Sequence, residues 1–336
     1  MYKVSVLVPV YGVERYIERC ARSLFEQTYL NLEYVFVNDC TPDRSVEILR
    51  QVLEDYPDRK ESVRIIDHDK NKGLAGTRNT SLDNASGVFV CCVDSDDWLE
   101  LDAIELLMEK QLESKADIVS GNYLVHYENG EHLLPVKVYE NKEQMVLQMM
   151  QRSWDHFFAG RLVRRSLFID NGLRWNNGLD VAEDRFIMTM LAYYSLRYGT
   201  IDRTVYHYDR RNPNAITSQG DGARMLRNNR QELDNLLLLE KCFEGKESVY
   251  QKECSRCVME HLESGLKTAL ACSNANEYYF IIDIIENRSD SDLEMINWRR
   301  KRWIMHYYVI MKFVWWKDKA IRFLRKKWFI IVNHFN

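Results

Sequence analysis

In the first hundred residues, short apolar runs alternate with stretches whose apolar positions recur at helical spacing. Val4-Ser5-Val6-Leu7-Val8, ended by Pro9, predicts a strand; Arg15 to Gln27 carries Tyr16, Ile17, Cys20 and Leu24 along one helical face; Tyr34 to Val37 predicts a second strand. The cycle repeats with a helix over Ser45 to Tyr56, a strand over Val63 to Ile66, a helix over Ala75 to Ala85 and an apolar strand over Val88 to Val93. Strands separated by helices predict parallel pairing through right-handed crossovers, so the fold class is α/β. In open sheets of this kind ligands gather beyond the carboxyl ends of the strands. Tyr11, Asp39, Asp67 and Asp94 occupy those positions.

The pattern then changes. Asp102 to Ser114 predicts a helix and Ile118 to Tyr127 a longer strand, and Glu128-Asn129-Gly130 reads as a hairpin turn leading back through Leu133 to Tyr139. Beyond Glu143 the chain reads as helix with loops, and from Ala223 to about Ile285 as nearly continuous helix. Residues 1–220 are therefore expected to form the catalytic-type domain, 221–297 a helical region and 298–336 a separate basic, aromatic segment.

Composition excludes several classes. With 336 residues, 46% hydrophobic and 29% charged, the chain is folded and has length for about two domains. A net charge of -4 argues against a nucleic-acid coat. Eight cysteines, including Cys91-Cys92 inside an apolar run, fit reduced core thiols and a cytosolic environment. Cys254, Cys257, His261 and Cys272 are read the same way, because their segment is helical by pattern and lacks the loops of a zinc knuckle. Met1-Tyr2-Lys3 runs directly into the first strand, so no secretory signal is expected.

The charge is unevenly spread. From Trp298 to Trp328 there are eleven Lys/Arg and one acid, Asp318, about +10, which leaves about -14 for the remainder. Five of the eight tryptophans fall in the same piece. Its apolar run over 303–311 is far shorter than the roughly 20 residues of a membrane span. Phe313, Trp316, Ala320, Leu324, Trp328 and Ile331 share a helical face, the pattern of an interfacial helix on an anionic membrane surface. A helix packed on the protein or an oligomer contact fits the same stripe, whereas nucleic acid leaves it unexplained.

The densest chemistry is Asp94-Ser95-Asp96-Asp97, carboxylates directly after an apolar strand. Acids packed this closely repel, and a divalent cation with oxygen ligands is the usual compensation. A solvated loop or a helix cap fits the letters alone. Asp39, just past the second strand, fits either a turn residue or an acceptor for a nucleobase edge. In Asn71-Lys72-Gly73-Leu74-Ala75-Gly76-Thr77-Arg78-Asn79, glycines precede a helix with a cation one turn inside, which offers phosphate an approach with Arg78 as its partner. The P-loop and dinucleotide glycine fingerprints are both missing.

Val8-Pro9-Val10-Tyr11 with Tyr16-Ile17, then Ser23-Leu24, Gln27-Thr28-Tyr29, Leu32-Glu33, Asp39, Gly73 with Arg78-Asn79, Gly87 and Asp94-Ser95-Asp96-Asp97 together resemble the family 2 glycosyltransferases. The resemblance is dense over about residues 3–125 and thinner to about 220. It implies the GT-A nucleotide-diphospho-sugar transferase fold, a Rossmann-like mixed sheet, here with a C-terminal helical region. It implies that Asp39 reads the uracil of a UDP-sugar, that Pro9 and Tyr11 line the base pocket, that Asp94 contacts the nucleoside, and that Asp96 holds Mn²⁺ or Mg²⁺ against the diphosphate. The chain departs from the family pattern at Asn38-Asp39-Cys40-Thr41, where Asp-Asp-Gly-Ser is usual.

Ala182-Glu183-Asp184-Arg185-Phe186 resembles the family's Glu-Asp motif, which implies Asp184 as catalytic base and Glu183 as an acceptor contact. A dipole argument alone also favours carboxylates at a helix start. Tyr206-His207-Tyr208-Asp209-Arg210-Arg211 resembles the segment that closes over the donor, with His207 as a further metal ligand and Arg211 as a diphosphate contact; an aromatic strand with a solvated basic end fits equally. The expected function is an inverting transfer of a sugar from UDP to a saccharide or lipid-linked saccharide in cell-surface polysaccharide synthesis, at the cytoplasmic face of the membrane. The rivals are an acid-nucleophile phosphatase and a non-catalytic nucleotide-binding membrane adaptor. Against the phosphatase, Asp97-Trp98 stands where that motif wants Thr or Val.

Overall fold

The computed structural model describes residues 1–288, apart from Arg152, Trp154, Asp155, Asn214 and 217–220, together with Lys317. The chain divides into two compact units, Met1–Gln219 and Gly220–Asn336. The basic aromatic segment expected from Trp298 lies, Lys317 excepted, outside the described residues.

In the first unit, β1 (Val4–Val10), β2 (Leu32–Asn38), β3 (Val63–Asp67) and β4 (Phe89–Cys92) run parallel in the order β3-β2-β1-β4. They are connected through α1 (Ile17–Phe25), α2 (Ser45–Glu54) and α3 (Gly73–Asp83). Every residue of β1 is buried, as a strand covered on both faces requires. Pro9 does not end it, contrary to the sequence reading. The β1–β4 ladder stops at Leu7 and Cys92, and beyond that pair the strand tolerates a residue without an N–H.

The sheet then turns mixed. β5 (Trp98–Leu99) and α4 (Ala103–Ser114) lead into β6 (Ile118–Tyr127), whose hairpin partner is β7 (Gly130–Leu134). After α5 (Lys142–Met150) come β8 (Leu162–Arg164), α6 (Ser166–Asp170), α7 (Glu183–Tyr194) and β9 (Tyr198–Asp209). β8 inserts antiparallel between β4 and β6, and β9 pairs parallel with β6 and antiparallel with β5. The helical reading beyond Glu143 missed β8 and most of β9. Three residues carry no readable period, and β9 breaks its alternation at exposed Asp202 and Arg203, where its register with β6 also shifts.

The second unit contains α8 (Gly222–Cys242), α9 (Ser248–Ala271) and α10 (Ala275–Glu286) among its described residues. Leu233, Leu236 and Leu239 of α8 and Cys254, Cys257, Val258 and Leu262 of α9 are buried, so the two thiols sit among core hydrophobes.

Candidate active site

The carboxyl ends of β2, β1 and β4 deliver the residues the sequence singled out. Asp39, at the end of β2, is 3% exposed. Its Oδ1 accepts from Lys72 N at 2.7 Å and meets His68 Nδ1 at 2.7 Å, while Oδ2 accepts from Gly73 N at 2.9 Å. The next residue, Cys40, has φ 57°, the left-handed conformation that a glycine would adopt without strain. The unusual Asn-Asp-Cys-Thr sequence therefore keeps a glycine-like turn. Pro9 is buried beneath this edge, and Tyr11 stands exposed at its rim.

The start of α3 is not an open phosphate cradle. Lys72 N and Gly73 N donate to Asp39, and Ala75 N donates to Asp180 Oδ1 at 2.8 Å. A Cβ on Gly73 would lie 2.4 Å from Asp180 Oδ2, so the glycine admits a protein carboxylate where the sequence suggested an anion. Asp180 was missed because one Asp in a Gly-Leu-Asp-Val loop carries no periodic or motif signal.

Arg78 departs furthest from expectation. It does not face an open surface as a phosphate partner would; it is 1% exposed. Nη1 donates to Glu183 Oε1 and Asp184 Oδ1, both at 2.7 Å, and Nη2 donates to Asp94 Oδ1 at 2.9 Å. Asp184 Oδ2 accepts from Phe158 N at 3.1 Å, which fixes the plane of its carboxylate. Burial, and then the neighbouring charge of Asp184, pushes the Glu183 carboxyl well above its ordinary range. The pair opens α7 behind Ala182, a second non-glycine residue at φ 57°.

The three acids after β4 have three different environments. Asp94 is held by Arg78. Asp96 accepts from Asn212 Nδ2 at 2.9 Å, and burial together with Asp94 pushes its carboxyl up to about 6. Asp97 is structural: it is 1% exposed and accepts from Tyr206 Oη at 2.6 Å and Asp209 N at 2.7 Å, which ties the acidic loop to β9.

Beside them Arg19 lies 3.6 Å over the Trp98 ring and donates to Asp96 O and Asp209 Oδ2. Arg211 grips Asp209 through Nε and Nη2 at 2.7 and 2.8 Å. Burial alone would raise the Asp209 carboxyl, but these hydrogen bonds hold it far below its ordinary range. Arg19, Asn212 and Asp209 were not singled out, because their company appears only when α1, the acidic loop and β9 meet.

His207 does not join Asp96. Its Nε2 meets Glu100 Oε1 at 2.9 Å, its Nδ1 meets His126 Nε2 at 3.0 Å, and its ring stacks on Trp98 at 4.7 Å. Pairing with Trp98 across β5 and β9 turns the imidazole toward this aromatic cluster. Among the described residues no group of three or more His, Cys, Asp or Glu forms a metal cage.

The model of glycosyl transferase family 2 matches residues 5–172. The glycosyltransferase GlyA of Streptococcus pneumoniae is 35% identical over 61% of the chain, and the match spans only 30% of that protein. The uncharacterized glycosyltransferase EpsJ of Bacillus subtilis is 34% identical over 64% of the chain and 62% of its own length. Among solved structures, S. aureus TarS 1-349 in complex with UDP superposes with a TM-score of 0.57 at 21% identity, covering 79% of this chain and 72% of that one.

Proposed function

The chain belongs to glycosyl transferase family 2, and from that premise we propose that it moves a sugar from a UDP-sugar to an acceptor hydroxyl with inversion. One observation carries the reading. Arg78 gathers Asp94, beyond β4, and the Glu183–Asp184 pair, at the start of α7, around a single guanidinium. A donor-side carboxylate and an acceptor-side acid pair thus share one site. The complex of TarS, a protein of the same fold, with UDP supports a uridine nucleotide as the donor.

In this reading Asp39, Pro9 and Tyr11 define the base end of the site and Asp94 faces the nucleoside. Asp184 is the general base. Each of its oxygens holds one hydrogen bond, to Arg78 or to Phe158 N, and so keeps lone-pair capacity for the acceptor proton. The attacking oxygen displaces UDP from the opposite face, and Glu183 lines the acceptor side. Arg211 supplies positive charge toward the diphosphate.

The donor set around Asp96 fits a hard cation. Its carboxylate is undercompensated, with one side-chain donor from Asn212, and such ions take one or two carboxylates plus substrate phosphates rather than a protein cage. Asp96 would hold Mn²⁺ or Mg²⁺, which when bound offsets the charge of the diphosphate leaving group. The acceptor is proposed to be a saccharide or lipid-linked saccharide of a surface polysaccharide, met at the inner face of an anionic membrane through the segment from Trp298.

The test is UDP-sugar turnover with and without Mn²⁺. Asp184→Asn should keep UDP affinity and lose about 10²–10⁴ in rate, and Asp96→Ala should erase the metal dependence. Turnover of phosphate esters but not of UDP-sugars would favour an acid-nucleophile phosphatase. UDP binding without turnover would favour an adaptor, and wild-type rates in Asp184→Asn would remove it as the base.

A further inference from the structure

Arg78 is the largest fully buried side chain among the described residues, and its hydrogen-bond pattern is not that of a simple ion pair. A guanidinium serving one carboxylate engages it bidentately through two neighbouring N–H groups. Here Nη1 is shared between Glu183 and Asp184, Nη2 goes to Asp94, and Nε is buried with no partner. Leaving a buried N–H unbonded forfeits its hydration with nothing in return. The fork is turned to span two elements rather than to satisfy itself. Its partners are all more exposed than it is, at 31% for Asp94, 17% for Asp184 and 9% for Glu183 against 1% for Arg78. The cation therefore acts on the site from beneath.

The helix that carries Arg78 is tied to both halves of the site. At its start, Lys72 N and Gly73 N donate to Asp39. One residue beyond Arg78, Asn79 donates to Trp175 O at 2.8 Å and accepts from Trp175 N at 3.0 Å, clamping the segment that leads to α7. Ala75 N holds Asp180 of the same segment. Thus α3 fixes the distance between the base end, the acidic loop and the acid pair.

Building on the function proposed above, we propose that Arg78 is a positioning residue: it holds the base Asp184 in register with the donor-side Asp94, and its loss costs far more in turnover than in nucleotide affinity. Without it Asp94 and Asp184 would repel and spread apart, and a displacement of about 1 Å at a reacting group costs about 10²-fold in rate.

The experiment compares Arg78→Met and Arg78→Lys, each alone and combined with Asp184→Asn. UDP affinity is measured by calorimetry, UDP-sugar hydrolysis by steady-state kinetics, and folding by thermal unfolding. Arg78→Met is expected to weaken UDP affinity and raise the donor KM only a few-fold, through Asp94, while kcat falls about 10²-fold. Adding it to Asp184→Asn should lower kcat no further, because the group it acts through is already disabled. Arg78→Lys keeps the charge without the span and should recover part of kcat; it also carries the test if the Met variant does not fold. Losses that multiply in the double variants, or UDP affinity falling in step with kcat, would overturn the proposal. A wild-type protein that neither binds UDP nor hydrolyses a UDP-sugar would overturn the donor reading itself, a failure visible before any variant is made.

Discussion

Two of the four non-glycine residues with positive φ among the described residues flank carboxylates of the proposed site: Cys40 follows Asp39 and Ala182 precedes Glu183. Left-handed backbone costs an L-residue about 1–2 kcal/mol, partly offset because glycine loses more freedom on folding. Strain at these two positions aims the carboxylates. At Cys40 it is separable from the chemistry, since the thiol is exposed and its hydrogen bond goes to His68 O, at 3.2 Å. Cys40→Gly should therefore stabilise the protein by about 0.5–1 kcal/mol and leave UDP affinity unchanged. A lowered melting temperature in that variant would mean that the thiol contact, not the backbone, decides the turn. The residue scale also shows how one letter type takes three roles: Asp94, Asp96 and Asp97 look equivalent in sequence, and only Tyr206 and the Asp209 N–H from β9 make Asp97 a structural group.

Between elements, Glu33 of β2 fastens the start of the parallel sheet. It accepts from Ser5 Oγ of β1, from Ser86 N and Oγ and from Gly87 N before β4, and pairs with Lys3 and Arg64. Gly87 is required here, as a Cβ would lie 2.6 Å from Ser5 Oγ. Burial by itself raises the Glu33 carboxyl, but the hydrogen bonds from Ser5, Ser86 and Lys3 outweigh it and hold it at about 2. A carboxyl lowered in the folded state stabilises fully above its unfolded value, near 4.5, and that contribution fades as pH falls toward about 2. Glu33→Gln should thus cost on the order of 3 kcal/mol at neutral pH, with the gap to wild type closing on acidification. A gap that stays constant in urea unfolding from pH 7 to pH 3 would show that packing, not charge, is what Glu33 contributes. Glu33 and Gly87 belonged to the resemblance without a stated role. Parallel order, the hairpin after Ile118–Tyr127 and the strand-end acids were legible because period-2 and helical spacing are local. The reach of β9 across to β5 and β6, and the burial of Arg78 under its carboxylates, were not, since both depend on segments roughly 80 to 110 residues apart in the chain.

At the scale of the whole molecule, charge is partitioned along the chain rather than balanced. The stretch from Trp298 to Trp328 carries about +10 and five of the eight tryptophans, against about -14 elsewhere. No described helix is long and apolar enough to cross a membrane. Basic groups near an anionic bilayer contribute about 1 kcal/mol each, and tryptophan rings favour the interface, so charge and aromatic content act together where either alone would have an ordinary use. A protein truncated before Trp298 is expected to keep UDP binding and UDP-sugar hydrolysis but no longer to sediment with anionic liposomes, while the full chain does. Raising the salt should weaken the attachment of the full chain without abolishing it, because screening acts on the charges and not on apolar insertion. Neutral liposomes should retain the full chain about as weakly as anionic ones do at high salt, and the truncated protein hardly at all. Equal sedimentation of the two on anionic liposomes would remove this segment as the anchor, and a truncated protein that fails to fold would assign it instead to packing within the chain.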